Sequence, residues 1–395
     1  MNKLSSKQLK AGMVVAKDIV TKQGQTIAKA GTVLNAQLIA KLSFYRIAEV
    51  FVEEKLPDVE DSAKEVDLVD APEEPQPAEE PEPEPEEEKP EPPKPSGKRN
   101  ETIAYSERLK ATPEFQEFSI NYSRNIAALK TSFKQIVDGE GDKIDMNGML
   151  REAESLFSSR TSLDLFDMLH NMRTLDDATY AHSVNVALVA RAIGKWLKMR
   201  RDDLNLLTIA GLLHDVGKIR IPEEILNKTG KLTDEEFAMI RRHPADGYSM
   251  LKKIPGIDRA VLDCAIQHHE RFDGSGYPNH LPGEQIEDMA AIIAIADVYD
   301  AMTATRNYRA PKSAFQVIAA FENDGLHKYN PKFILTFLQN IANAYQNNRV
   351  ILNDGTSARI IYINQSKLSR PMVQLDSGAV IDLSRQPDLE ITKCL

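Results

Sequence analysis

Residues 55–100 cannot build a core, and that divides the rest of the chain. The stretch EEPQPAEEPEPEPEEEKPEPPKP alternates proline with carboxylates that repel one another. It has almost no apolar surface whose burial could offset the entropy of ordering it, so it reads as an extended, semi-rigid, disordered spacer. Residues 55–94 hold 16 Asp or Glu against 4 Lys, a net of −12. The whole chain of 395 residues carries −10, which leaves +2 for everything else. The remaining parts are near neutral, and neither a nucleic acid polymer nor membrane insertion is expected.

Upstream of the spacer, residues 1–54 alternate short apolar runs (LKAGMVVAKDIV, QGQTIAKAGTVL, AEVFVEE) with turn residues, and Gly12, Gly24 and Gly31 punctuate predicted strands. Asn35 is placed to cap a short helix over AQLIAKLSFY. This is a small α+β module with no His and no Cys, suited to docking or regulation through a protein partner or a second copy of the chain.

Downstream, from 101 to 347, the apolar period becomes helical. SLDLFDMLHNM, HSVNVALVARAIGKWL and DDLNLLTIAGLLHDV each match the i, i+3, i+4, i+7 template. Thr233 with Glu236 forms a capping box, and Pro222 starts a short helix over IPEEIL. Residues 348–395 return to period two, with hairpins expected around Asp354-Gly355 and Ser377-Gly378. The fold class is therefore mainly α: a helical bundle with a small N-terminal α+β module and a small C-terminal β appendage. With 42% hydrophobic residues there is ample apolar material for a core. Two cysteines, Cys264 and Cys394, cannot make a disulfide framework or a thiolate zinc site. MNKLSSKQLKAG lacks an apolar signal region, no run of about 18 apolar residues occurs, and a cytoplasmic protein is expected.

Five of the eight histidines, His182, His214, His243, His268 and His269, fall in predicted helices or at their ends. A single buried imidazole on an apolar helix is usually a satisfied core residue. An adjacent pair opening HHERFDGSGYP is harder to explain that way, because each buried ring without a partner costs a few kcal/mol. Asp215 in GLLHDVG and Asp297 in IIAIADVYDAM add carboxylates on apolar segments, which want a cation. Imidazole and carboxylate without thiolate suit iron, manganese, nickel, cobalt or zinc. Seven candidate ligands are more than one ion needs if a water position stays open, so two divalent metal ions are expected.

HDVGK, PEEILNKTGKLT, HPADGY, HHERFDGSGYP and DVYDAMTATRNYR occur in the order seen in the HD-GYP family, which this chain resembles over residues 160 to 345. The family belongs to the HD superfamily of metal-dependent phosphohydrolases and hydrolyses bacterial cyclic dinucleotides, above all cyclic di-GMP. The resemblance implies that His182, His214, Asp215 and Asp297 hold one metal, with Asp215 bridging to a second held by His243, His268 and His269. It implies iron or manganese, with zinc, nickel or cobalt as alternatives. Lys218 would meet a phosphate or the leaving oxygen. Tyr277 and Pro278 of the signature loop, Asp300, Arg306 and Arg309 would contact substrate.

The expected reaction is hydrolysis by a metal-bridged hydroxide, two ions about 3.5 to 4 Å apart neutralising charge that builds on the phosphoryl oxygens. The product would be linear pGpG, in second-messenger signalling. One departure stands out: family members with a third metal carry Glu four residues before the first His, and here that residue is Ala178. Two metals are favoured on that ground, and with them slow onward cleavage to GMP. A catalytically weak cyclic-dinucleotide sensor would be expected to lose ligands or the GYP loop. A general HD-type nucleotide phosphohydrolase would lack the HHE-to-GYP block.

Overall fold

The computed structural model describes residues 105–394 apart from 158–161, 173–177, 229 and 305–310. Within the first 52 it describes 2–5, 9–10, 12–20, 26–34, 38–39, 42, 47 and 49–52. The spacer expected over 55–100 and the cap expected at Asn35 lie outside the described residues.

In the N-terminal part, β1 (Asn2–Ser5) and β4 (Glu49–Val52) pair antiparallel, as do β2 (Ile19–Val20) and β3 (Thr26–Ala28). An isolated bridge from Val15 to Val52 ties the segments together. Alternation along β4 turns Val50 and Val52 inward, where they join Val15, Leu34 and Leu42 in a small core of their own.

The helical part begins with α1 (Tyr105–Lys110), α2 (Pro113–Val137), α3 (Met146–Ser155) and α4 (Ser162–Asn171). It continues through α5 (Ala178–Trp196), α6 (Arg201–Leu213), α7 (Glu223–Leu226), α8 (Asp234–Ile240), α9 (His243–Leu251) and α10 (Arg259–Gln267). It closes with α11 (Asp288–Thr303), α12 (Ala314–Ala320) and α13 (Pro331–Ala344). The expected capping box of Thr233 and Glu236 opens α8, and Pro222 precedes α7. Helices α5 and α11 are buried on every side, from Ser183 through Gly194 and from Met289 through Asp297. Such all-round burial belongs to central helices, so the i, i+3, i+4, i+7 spacing read over HSVNVALVARAIGKWL marks a helix there but not a solvent-facing side. Helix α6 lies close against α5 because residue 211 is glycine: a Cβ there would sit 2.6 Å from Ala187 Cα.

The C-terminal residues form β5 (Arg349–Leu352), β6 (Ser357–Tyr362), β7 (Met372–Leu375), β8 (Val380–Asp382) and β9 (Ile391–Cys394), in the order β8-β7-β6-β5-β9. Both expected turns are present, with Gly355 and Gly378 at φ of 82° and 87°. A hairpin appendage understates the result. Strand β9 pairs with β5 to complete a five-stranded sheet, and Val350, Leu352, Ala358 and Ile360 lie in one continuous core with the helices. ITKC is too short to announce itself by periodicity, and its pairing is decided by the exposed edge of β5. Glu322 pins the sheet to the bundle, accepting hydrogen bonds from Leu368 N at 2.6 Å and from the Ser369 hydroxyl. No helix among the described residues is long and apolar enough to cross a membrane.

Candidate metal centre

Three of the five histidines use the same local device. His214 directly follows α6, His243 opens α9 three residues past the end of α8, and His268 directly follows α10. The last carbonyls of a helix lack intrahelical partners. Each ring supplies one: Nδ1 of His214 lies 2.8 Å from Gly211 O, that of His243 2.7 Å from Ile240 O, and that of His268 3.0 Å from Ala265 O. A carbonyl only accepts, so Nδ1 carries the proton and Nε2 is left as an inward-facing lone pair. Gly217 lets the HDVGK turn lie against the start of α9, since a Cβ there would fall 2.0 Å from His243 O. That contact brings Asp215 beside His243.

Asp215 is 1% exposed and stands at the centre. Its Oδ2 lies 3.4 Å from both His182 Nε2 and His214 Nε2, and its Oδ1 lies 3.2 Å from His243 Nε2 and 3.6 Å from His268 Nε2. Two groups of potential ligands result, His182 with His214 and Asp215, and Asp215 with His243, His268 and His269. Within each, the ligand atoms lie within 4.8 Å of one another, and the groups share Asp215 alone. Asp297 Oδ1 is 3.1 Å from His182 Nε2, and its Oδ2 is 3.9 Å from His269 Nδ1. Lys218 Nζ donates to Asp215 Oδ2 at 2.5 Å.

By the charges of the protein alone, the cluster is divided. Burial opposes a charge on His182, but Asp297 and Asp300 outweigh it and raise that ring to about 9. Burial holds His214 down to about 3 and also lowers His243 and His269. Burial works against the charge of Asp215 too, yet Lys218 and the surrounding histidines outweigh it and keep the carboxyl well below its usual range. For Asp297 burial is likewise outweighed, chiefly by His182.

Whether these residues fit metal ions can be tested on their unpaired atoms. His214 Nε2 and Asp215 Oδ1 are buried with no hydrogen-bond partner, and the Nε2 atoms of His243 and His268 face each other at 3.1 Å. Acceptors converge with few donors between them, an arrangement that costs energy unless a cation lies among them. Imidazole and carboxylate are the ligand types of divalent first-row metals. The cluster fits divalent metal.

The remaining expected site residues are distributed around it. The Tyr277 ring stacks on His269 with centroids 4.7 Å apart and planes 20° apart, and the Arg241 guanidinium lies 4.5 Å from the Tyr277 centroid. Pro278 follows through a cis peptide. Asp300 is not placed as a substrate contact. It is 3% exposed, with Oδ2 2.7 Å from His182 Nδ1 and Oδ1 accepting from Asn185 Nδ2 at 3.0 Å, so it orients the His182 ring from behind. Arg306 and Arg309 lie outside the described residues. Ala178 begins α5, four residues before His182, and is exposed.

Two residues were missed by the sequence reading. Glu270, 2% exposed, holds the loop after the histidine pair by accepting from Asn279 N at 2.7 Å and Leu281 N at 3.1 Å. It sits inside HHE, and a carboxylate next to two histidines was a usable signal. Asn185 had no such signal, being one amide in an apolar helix.

The helical bundle and its shared-aspartate cluster define an HD-domain protein, and the family model described as "HD domain" matches residues 157–333. Within that class, the helical domain is similar to cyclic dinucleotide phosphodiesterases of the HD-GYP family. A cyclic di-GMP phosphodiesterase of Pseudomonas aeruginosa, PA4108, is 35% identical over 226 residues, 55% of this chain and 54% of that protein. The 3'3'-cGAMP-specific phosphodiesterase 1 of Vibrio cholerae is 42% identical over 140 residues, 35% of this chain and 32% of that protein. Among solved structures, Bd1817, an HDG"Y"P protein of Bdellovibrio bacteriovorus, aligns with 85% of this chain and 97% of its own at 14% identity and a TM-score of 0.48. The chain thus spans about half the length of the first of these curated relatives and about a third of the second.

Proposed function

We propose that this chain is a metal-dependent phosphodiesterase that opens a cyclic dinucleotide, cyclic di-GMP first among the candidates, to the linear dinucleotide. The observation that carries the reading is the pair of ligand groups sharing Asp215, with orphaned acceptors on His214 and Asp215 themselves. His182, His214, Asp215 and Asp297 would hold one ion and Asp215, His243, His268 and His269 a second, iron or manganese by the family resemblance and within what these ligand types accept. Divalent ions bound there lower the pKa of water and neutralise charge on phosphoryl oxygens.

The residues of the chain supply orientation and further charge. Lys218, partly exposed beside Asp215, offers an ammonium to a phosphate oxygen. Tyr277, braced between His269 and Arg241, offers its ring edge and hydroxyl beside the cluster to a base or ribose. Arg306 and Arg309 are assigned to substrate phosphates by their place in the RNYR motif. Residues 1–54 would serve as the regulatory or docking module, 55–100 as the spacer, 101–347 as the phosphodiesterase domain and 348–395 as its β extension. The names of the relatives, which act on cyclic di-GMP or 3'3'-cGAMP, support the substrate class.

The test is incubation of manganese- or iron-loaded protein with cyclic di-GMP, 3'3'-cGAMP, cyclic di-AMP and linear nucleotides, with products resolved over time. Accumulation of pGpG from cyclic di-GMP, with GMP slow or absent, is expected. Turnover of linear nucleotides alone would favour a general phosphohydrolase, and binding without cleavage a sensor.

A further inference from the structure

Helix α2 lies outside the stretch that matches the HD domain, yet it reaches the cluster through three hydrogen bonds. Tyr122 of α2 donates its hydroxyl proton to Asn185 Oδ1 at 2.7 Å, Asn185 Nδ2 donates to Asp300 Oδ1 at 3.0 Å, and His182 Nδ1 donates to Asp300 Oδ2 at 2.7 Å. The directions follow from chemistry. The Asp300 carboxylate only accepts, so Asn185 must turn its amide N–H toward it, and Oδ1 is left facing Tyr122, which must donate. The spacing is helical on both sides: His182 and Asn185 are three residues apart on α5, as are Asp297 and Asp300 on α11. Tyr122, Asn185 and Asp300 are 3%, 4% and 3% exposed, so water does not readily replace a lost partner.

We infer that Tyr122 is a positioning residue for the metal centre: its hydroxyl locks the Asn185 amide, which locks Asp300, which fixes the tautomer of His182 and turns Nε2 toward Asp215 and Asp297. Without the hydroxyl, the Asn185 amide can flip and present its oxygen to the Asp300 carboxylate, and the carboxylate that orders His182 loses its anchor. The functional unit therefore extends beyond the HD-domain match to include α2, and a displacement of α2 is felt at His182. This inference rests on the assignment of His182 as a metal ligand.

The test compares the full-length protein with Tyr122→Phe and Phe118→Leu. Phe118 is wholly buried on the same helix and stacked 5.9 Å from Tyr122, so its variant removes packing from α2 and from the Tyr122 ring while keeping every hydrogen-bonding group of the chain in place. Mn2+ affinity is measured by competition with a chelator, alongside thermal melting and the division of any rate loss between kcat and KM. Loss of an outer partner of a metal-bound histidine weakens binding about 10- to 100-fold, and the low end is expected for Tyr122→Phe, three hydrogen bonds removed from the ring. Phe118→Leu should lower the melting temperature and leave the affinity unchanged, and the rate loss of Tyr122→Phe should fall on kcat. Equal affinity in Tyr122→Phe and wild type, or equal weakening in both variants, would overturn the inference. A wild-type chain that binds no Mn2+ would instead overturn the metal assignment of His182.

Discussion

His243 and His268 face each other Nε2 to Nε2 at 3.1 Å, although each ring lies within hydrogen-bonding distance, through Nδ1, of a main-chain carbonyl three residues back. Two lone pairs held at that distance repel, and the bundle holds them there because helix ends set both rings. The arrangement makes sense around a cation. It is repeated on the other side of Asp215, where His214 Nε2 has no hydrogen-bond partner.

Asp215 is the single residue common to the two ligand groups, so its removal should differ in kind from the removal of a histidine. His243→Ala should lower the metal content by about one ion per chain, His214→Ala likewise, and Asp215→Ala by both, with activity falling at least about 100-fold. Elemental analysis of the three variants, purified together, checks this. Retention of both ions by Asp215→Ala would show that the carboxylate is not shared.

Glu270 holds the GYP loop and is not in the ligand set. Glu270→Ala leaves the N–H groups of Asn279 and Leu281 without their acceptor, at about 1–3 kcal/mol for each that stays buried. The expected outcome is a lower melting temperature and a several-fold rise in KM, with metal content retained. Steady-state kinetics and elemental analysis of one preparation separate these effects.

The carboxyl of Glu322 is pushed above its usual value by burial, which outweighs the hydrogen bonds from Ser369 and from Leu368 N. In the folded protein it binds a proton more readily than in the unfolded chain, so this group stabilises the fold below the unfolded value near 4.5. That contribution is lost as pH rises through the raised folded value. Glu322→Gln cannot titrate. The stability of wild type relative to Glu322→Gln should therefore fall from pH 4.5 upward, as read by denaturant unfolding at a series of pH values. A difference that grows with pH would mean that the ionised form is the better anchor.

What the residues announced, and what they did not, follows from how far each signal reaches. The bundle could be read from periodicity because its helices are long, and the histidine cluster from residue types that are costly to bury singly. The shared position of Asp215 needed the close approach at Gly217, which depends on how the HDVGK turn meets α9 and is invisible to spacing. The resemblance groups Asp300, one turn beyond Asp297, with the substrate contacts. Only the crossing of α5 over α11 shows that this turn faces the back of His182. Strand β9 and the contribution of Tyr122 are long-range pairings, separated from their partners by tens of residues, and no local pattern carries them.

The most direct test is the metal content of the full-length chain, purified without oxygen and reconstituted with iron or manganese. The convergence of two ligand groups on one aspartate calls for about two ions per chain. One ion or none after reconstitution would contradict it.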